Sequence, residues 1–387
     1  MESTPRLYDT LVQVLGQHQD WLDRRHLKTL AWMVVGLLQS SLIGLNAWAP
    51  FVISRAVFAQ SSVRRFMRWL NNERIEVHKL YGPLVQQALA DWGQHVLYLA
   101  LDSSMLWNQY CIIRISLIYR GRAIPLVWCV LQHASSSVAY ATYAELLDRT
   151  AQLLPLHGRV VFLADRGFVD TELMRHLQQL RWHWRIRIKA NLLVYARGHC
   201  RKLSSLCFRP GRAHFWHNVS LTAERFGPVH LALAHLAGND ECWFVVSDEP
   251  TSLATFDEYG LRFDLEENFL DDKSNGFQLE SSLIRSAAAL THLLCVLAVA
   301  TLYLTAQGSE VVKQGQRRYV DPHWFRGSSY LKIGWNWIRT ALSRGLALLV
   351  KLHLSGEPDP DPAMASRRQF ERPGPTLKIK SVDFARS

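Results

Sequence analysis

Apolar residues recur at three-to-four spacing through the first 95 residues, which is the pattern of helices that bury one face. The helices predicted in this way are 8–22, 26–42, 61–70 and 83–92. The third of these begins with Ser61 as a capping residue and carries Arg64, Arg65 and Arg68. We therefore expect a helical N-terminal domain over residues 1–95 that contains one basic helix.

Short apolar runs replace this pattern from residue 96 and are typical of buried strands. The predicted strands are 95–101, 110–119, 123–131, 159–164 and 182–189, with helices over 138–154 and 169–180. The order strand, hairpin, helix, strand, helix, strand indicates an α/β core with a mixed sheet. Residues 191–249 then alternate short apolar runs with Gly and Pro turns, as in a β-rich insertion.

Helical spacing returns after the insertion, over 250–273, 284–304 and 327–353. The sequence from Ser355 onwards is rich in Pro, Asp and Arg, and we expect it to be disordered. The expected organisation is a helical domain over 1–95, a core over 96–190 and 250–309, an insertion over 191–249, a helical region over 310–354 and a tail over 355–387.

The uncharged segment 286–309 is long enough to cross a membrane. It contains His292, and no aromatic belt flanks both of its ends, so a buried helix is favoured over a membrane span. A second uncharged segment, 29–54, is too polar to span. The N-terminus lacks the basic and apolar regions of a signal peptide, and the six scattered cysteines fit a reducing compartment.

The charge balance indicates a polyanionic partner. The chain has 44 Lys and Arg against 33 Asp and Glu, a net charge of +11. Residues 173–223 contain ten Lys or Arg, interleaved aromatic residues and no Asp or Glu, which favours a nucleic-acid surface over a merely basic solvated one. The helix with Arg64, Arg65 and Arg68 is equally compatible with contact to DNA and with a solvated face.

Two aspartates, Asp102 and Asp165, follow two of the predicted buried strands. Taken alone, either aspartate is explained equally well as a capping residue or a turn residue. If their strands are neighbours in one sheet, however, the two carboxylates meet at one edge and become candidate ligands of a shared divalent ion.

A third carboxylate, Glu266, lies in the predicted helix 250–273. At 100° per residue, Tyr259, Arg262, Glu266 and Lys273 fall within a sector of about 60°. A common i, i+4 ion pair between Arg262 and Glu266 would also explain the spacing. Glu267, off this stripe, is the weaker candidate.

The pattern Tyr-x2-Arg-x3-Glu-x6-Lys from Tyr259 to Lys273 resembles the signature of one group of DDE transposases, found in bacterial insertion sequences. The order of Asp102, the Asp-Arg-Gly-Phe motif at Asp165, a β-rich insertion and this helix is similar to theirs. The resemblance extends over about residues 20–350 and implies an RNase H-like mixed-sheet catalytic core with a β-strand insertion.

The same resemblance implies that Asp102, Asp165 and Glu266 are the catalytic residues and hold two Mg²⁺ ions, with Mn²⁺ as a substitute. It implies that water nicks the element end and that the freed 3′-hydroxyl attacks the opposite strand, giving a hairpin, and later the target. Carboxylate oxygens suit these metals, and two ions neutralise both the attacking and the leaving oxygen.

The resemblance also implies that Tyr259, Arg262 and Lys273 hold phosphates and that Trp243 stacks on a flipped base. Trp243 could equally fill the core, and Arg166 contacts phosphate or pairs locally. The implied partners are the terminal inverted repeats, the target DNA and a second copy of the chain in a synaptic complex, with no membrane or small-molecule substrate.

The corresponding location is the bacterial cytoplasm, at the nucleoid. The alternative functions are an RNase H-like DNA nuclease or resolvase, an inactive DNA-binding repressor and, less favoured, a basic membrane-associated protein.

Overall fold

The computed structural model describes residues 3–17, 23–54, 57–206, 209–235, 242–270, 272–273, 276–364 and 381–384. Its N-terminal helices are α1 (Ser3–Leu15), α2 (Arg24–Ser40), α3 (Leu45–Trp48), α4 (Ala59–Leu70) and α5 (Val77–Ala88). The amphipathic spacing thus predicted α2 and α4 closely. By contrast, α1 begins five residues before the predicted 8–22, α5 begins six residues before the predicted 83–92, and α3 was not predicted. The cap expected at Ser61 is wrong, because α4 begins two residues earlier, after Phe58, without a side-chain cap.

One large sheet follows. Its strands are β1 (Val96–Leu106), β2 (Tyr110–Tyr119), β3 (Arg122–Gln132), β4 (Arg159–Ala164), β5 (His183–Arg187), β6 (Leu193–Ala196), β7 (His199–Lys202), β8 (Arg212–Leu221), β9 (Phe226–His235), β10 (Cys242–Ser247) and β11 (Ser381–Phe384). The strand order is β3-β2-β1-β4-β5-β10-β9-β8-β6-β7, and β11 pairs with β8. β1, β4 and β5 are parallel, while β2 runs antiparallel between β1 and β3, so the mixed α/β fold is consistent with an RNase H-like core.

The strands of the expected insertion extend this sheet. β10 pairs antiparallel with β5, placing Val246 opposite Ile186, and β9 and β8 follow in order. Hydrogen bonding therefore continues without a break from the central strands into β6–β10.

The remaining helices are α6 (Tyr140–Leu153), α7 (Thr171–Gln179), α8 (Leu253–Gly260), α9 (Phe263–Leu270), α10 (Ala287–Lys313) and α11 (Tyr330–Arg344). The single helix expected over 250–273 is wrong. The chain turns at Leu261 and Arg262, directly after Gly260, a residue that is a poor helix former. The signature from Tyr259 to Lys273 is consequently divided between two short helices and the residues next to them.

Helix α10 is the central helix of the fold. By length and composition it could cross a membrane, but 83% of its most apolar window is buried inside the protein. It packs against β3, α11, α2 and α5, as a core helix does. Gly308 and Gly334 make the contact with α11 close, because a Cβ atom on Gly308 would lie 1.9 Å from the Tyr330 carbonyl oxygen.

The tail expected to be disordered from residue 355 is ordered over 355–364. Asp359 accepts hydrogen bonds from Arg326 at 2.7 Å and from the Tyr330 hydroxyl at 2.5 Å. Residues 381–384 form β11. The rest of the predicted tail, 365–380 and 385–387, lies outside the described residues.

Candidate active site

The two candidate aspartates lie side by side in the sheet. β1 and β4 are parallel, with Leu101 opposite Ala164, so Asp102 and Asp165 occupy the next positions along each chain. The expectation that β1 ends at Asp102 is wrong. The strand continues to Leu106 because it still pairs there with β2. Asp165, by contrast, directly follows the end of β4.

Arg262 joins Asp102 to Glu266. Its Nη1 donates to Oδ2 of Asp102 at 2.9 Å, and its Nη2 donates to Oε1 of Glu266 at 2.5 Å. On the other side, the buried Tyr259 donates its hydroxyl to Oδ1 of Asp165 at 3.2 Å. The turn between α8 and α9 thus places Tyr259 and Arg262 against the carboxylates of both strands and brings Glu266 into the same group.

The electrostatics of this group reflect close negative charges. Burial raises the pKa of Asp102 to about 6, and the charges of Glu266 and Asp165 add to the shift against the opposing effect of Arg262. Burial alone would lower the pKa of Arg262, but Tyr259 and the carboxylates raise it overall, so the guanidinium stays charged. Arg262 therefore offsets part of the repulsion among the carboxylates.

The chemistry of these three residues suits a divalent metal, although among the described residues only His183, Asp248 and Glu249 have ligand atoms that all lie within 4.8 Å of one another. The three carboxylates of the site supply only oxygens, the ligands that Mg²⁺ and Mn²⁺ prefer. The guanidinium of Arg262 already provides positive charge between Asp102 and Glu266. When bound, a divalent ion would supply Lewis-acid stabilisation of the charged oxygens of a phosphodiester.

Lys273 and Asp272 lie beyond α9, which ends at Leu270. The Lys273 amine donates to the Met105 carbonyl oxygen in β1 at 2.5 Å, and burial lowers its pKa. Asp272 forms an ion pair at 2.6 Å with Arg114 of β2, and each of these two residues is only 2% exposed. Arg114 is also the register partner of Asp102.

Sequence reasoning missed this buried ion pair. The available signal was Arg114 itself, a single charged residue inside the otherwise apolar strand 110–119. A charge at such a position requires a buried partner.

Trp243 lies half-buried beside Tyr259. Their ring centroids are 5.6 Å apart at 87°, and the ring of Phe263 lies 5.9 Å from that of Trp243. The guanidinium of Arg187 lies 5.3 Å from the centroid of Trp243. The indole Nε1 is buried without a hydrogen-bond partner among the described residues. The ring thus belongs to the edge of the site and also fills space against α8.

The other predicted DNA-binding residues are not brought into this constellation. Arg166 is exposed in the short 3₁₀ turn that follows Asp165. Arg64 and Arg68 are exposed on α4, whereas Arg65 is partly buried against Phe66, and burial lowers its pKa. α4 itself packs on α2, α3 and α10.

A second polar cluster lies at the opposite edge of the sheet, where β5 begins and β10 ends. One ligand atom from each of His183, Asp248 and Glu249 lies within 4.8 Å of the others, a spacing that a metal ion could use. The carboxylate of Glu249 is already bound to Arg159 at 2.7 Å and to Arg185 at 2.8 Å. These contacts make the cluster an ion-pair network that ties the sheet to the segment before α8.

The mixed sheet with paired aspartates and a glutamate on the following helix belongs to a DDE-type transposase domain. The sequence model of the family described as Transposase DDE domain matches residues 108–303, about half of the chain, and the chain belongs to this family. The match includes Asp165 and Glu266 and begins just after Asp102.

The chain is also similar to a solved structure, the cryo-EM structure of the piggyBac transposase synaptic complex with hairpin DNA. The superposition covers 95% of this chain and 86% of that chain, with 10% sequence identity and a TM-score of 0.46. A comparison with curated proteins found no match.

Proposed function

We propose that this chain is a DNA transposase of the bacterial insertion-sequence group with the Tyr-Arg-Glu-Lys signature. It cuts the ends of its element and transfers the 3′-hydroxyl ends into target DNA. The observation that carries this proposal is the constellation of Asp102, Asp165 and Glu266, joined by the hydrogen bonds of Tyr259 and Arg262.

The three carboxylates would hold two Mg²⁺ ions, or Mn²⁺ as a substitute, whose charge stabilises the attacking and leaving oxygens when they are bound. Tyr259 orients Asp165 through its hydroxyl. Arg262 and Lys273 are nearby cations that now donate hydrogen bonds to protein oxygens. When DNA binds, they can donate to its phosphates instead. Trp243 offers an aromatic ring to an unstacked base in a cut-and-paste reaction with a hairpin intermediate.

The proposal assigns DNA binding to the helical region 1–95, catalysis to 96–190 and 250–309, and the β-strand insertion to 191–249, with 310–354 as a helical C-terminal region. Arg64 and Arg68 of α4 and Arg166 are exposed and can reach phosphates. The partners are the terminal inverted repeats, target DNA and a second copy of the chain. The reaction takes place in the bacterial cytoplasm, at the nucleoid.

The test compares Asp102→Asn, Asp165→Asn and Glu266→Gln with the wild type on DNA that carries the element ends. Each variant should lose cleavage in Mg²⁺ while binding to the ends is largely kept. Asp257→Asn, which changes an exposed carboxylate on α8, is the matched control and should cleave normally. Full cleavage by any of the three variants contradicts the ligand assignment.

The DNA products distinguish a transposase from a nuclease or resolvase and from a repressor. A transposase joins the cut ends to a target plasmid, a nuclease or resolvase cuts without joining to a target, and a repressor binds without metal-dependent nicking. Gel analysis of a target plasmid incubated with precut ends detects joining, and metal-dependent nicking of uncut end DNA separates a nuclease from a repressor.

A further inference from the structure

The carboxylate of Glu258 on α8 is held by two strands of the sheet. Nε of Arg185 in β5 donates to its Oε2 at 2.6 Å, and the Tyr98 hydroxyl of β1 donates to its Oε1 at 3.3 Å. The Arg185 side chain is 6% exposed and that of Glu258 is 24% exposed. Because the pair is shielded from water, its attraction is screened less than that of an ion pair on the open surface.

The two donors lie on the face of the sheet that carries the candidate metal ligands. β4 lies between β1 and β5 and pairs in parallel with both. Tyr98 precedes Asp102 by four positions in β1, so the alternation of side chains puts both on one face. The register of β4 with its two neighbours places Arg185 and Asp165 on that face as well. Glu258 therefore spans β4 on the same face as the candidate ligands.

The apolar side chains of α8 pack on other strands. Phe256 and Tyr259 form a small cluster, apart from the main core, with Phe215 of β8, alanines of β9 and Val245 of β10. Apolar packing thus holds α8 to the strands of the insertion, whereas the hydrogen bonds of Glu258 hold it to β1 and β5. Hydrophobic contact is not directional, so the hydrogen bonds define the position of the helix more narrowly.

The charges around Glu258 suit an anchor of this kind. Burial raises the pKa of Tyr98, and the charge of Glu258 adds to the shift, so the hydroxyl stays protonated and can donate. Burial alone would lower the pKa of Arg185, but the carboxylates of Glu249 and Glu258 raise it overall, so the guanidinium stays charged. Arg185 also donates to Glu249 at 2.8 Å and therefore keeps a charged partner when Glu258 is replaced.

We propose that Glu258 is a positioning residue that sets the place of the Tyr259 hydroxyl against Asp165. Glu258 directly precedes Tyr259 in α8, and that hydroxyl donates to Oδ1 of Asp165 at 3.2 Å. Because β1 and β5 flank β4, whose end carries Asp165, an anchor on both strands fixes the helix relative to this carboxylate. The inference rests on the proposed function, because the reaction that it serves is the cleavage of element ends.

The experiment measures the rate constant of first-strand nicking of end DNA in Mg²⁺, under single-turnover conditions with saturating protein. A misplacement of about 1 Å can cost roughly 100-fold in rate, so Glu258→Ala should lower the rate constant by roughly 10-fold to 100-fold while the affinity for end DNA is kept. Glu258→Gln keeps an oxygen that can accept from Arg185 and Tyr98, so it should recover part of the rate. Asp257→Ala removes the neighbouring exposed carboxylate of α8 and is the matched control, which should nick normally.

A double-mutant cycle distinguishes positioning from a loss of folded protein. Tyr259→Phe removes the hydroxyl that binds Asp165. If Glu258 acts by placing this hydroxyl, Glu258→Ala should lower the rate constant less in the Tyr259→Phe background than in the wild type. Urea unfolding of the same variants gives the folded fraction under assay conditions, and each rate constant is normalised to it.

The outcomes separate this inference from the proposed function. With an active wild type, a normalised rate constant of Glu258→Ala equal to that of the wild type overturns the inference alone. Losses that add in free energy in the double variant show that Glu258 acts independently of Tyr259 and also overturn it, as does an equal loss in Asp257→Ala. Wild-type protein that does not nick end DNA contradicts the proposed function, and the inference falls with it.

Discussion

Arg262 donates a hydrogen bond of 2.9 Å to Asp102, and this buried contact places a guanidinium where one of the proposed metal ligands must act. The second arm of the same side chain binds Glu266. Arg262 is therefore a partner of the carboxylates and a competitor of the metal ion for them.

The first prediction concerns Arg262→Ala. Without the guanidinium, the carboxylates repel one another, so the variant should melt at a lower temperature than the wild type in EDTA. Mg²⁺ should then raise its melting temperature more than it raises that of the wild type, because the ion no longer competes with an internal cation and stabilises the state that binds it. Thermal melts in EDTA and over a Mg²⁺ series measure both effects.

The control for this experiment is Arg262→Ala combined with Asp102→Asn and Glu266→Gln. This variant lacks two proposed ligands, so it should show little Mg²⁺ response. A Mg²⁺ shift in Arg262→Ala that is no larger than in the wild type would contradict the competition.

The second prediction concerns the buried pair of Arg114 and Asp272. Removing one partner leaves an uncompensated buried charge, so Asp272→Asn should lower the free energy of unfolding by about 3–5 kcal/mol. Replacing both, as in Arg114→Met with Asp272→Leu, should cost less than either single change. Urea unfolding of the two single variants and the double variant measures the coupling, and additive losses would show that the pair does not act as a unit.

The third prediction concerns Trp243. If the ring stacks on an unpaired base, Trp243→Ala should lower hairpin formation more than first-strand nicking, and Trp243→Phe should recover part of the loss. The two products are quantified on the same end substrate by denaturing gels. Equal loss of both steps would assign Trp243 to packing against Tyr259 instead.

The fourth prediction concerns pH and His78. Its Nε2 donates to the Trp128 carbonyl oxygen at 2.9 Å, while Nδ1 is buried without a partner among the described residues. Burial lowers the pKa of His78 to about 4, opposed by the Trp128 hydrogen bond; of its charged neighbours on α6, Arg149 lowers it further and Glu145 raises it. The unfolded chain therefore binds a proton at a higher pH than the folded protein does.

The titration of His78 should consequently lower the free energy of unfolding as the pH drops from about 6.5 towards 4. The loss should be up to about 1.4 kcal/mol per pH unit. His78→Phe loses the hydrogen bond at every pH but should remove this part of the pH dependence. Urea unfolding at several pH values compares the two proteins, and an equal acid sensitivity would exclude His78 as a source.

Local patterns of apolar residues determined much of this fold. The strands at 159–164 and 110–119, the helix at 140–153 and the helix at 287–313 as far as residue 304 were predictable because side-chain spacing reports which face of an element is buried. The sequence left the proximity of Asp102 and Asp165 conditional on the pairing of the two strands before them, and the structure pairs these strands in parallel. The spacing of Arg262 and Glu266 also indicated their ion pair.

Only the tertiary structure decided which distant residues meet. The turn at Leu261 divides the expected helix, the strands after residue 191 join the central sheet, and Arg114 finds Asp272. Ion pairs in the fold likewise take up part of the charge of the basic stretch, as between Arg185 and Glu249. Periodicity describes one element at a time, whereas these features depend on the free energy of contacts between elements far apart in the chain, which no local pattern records.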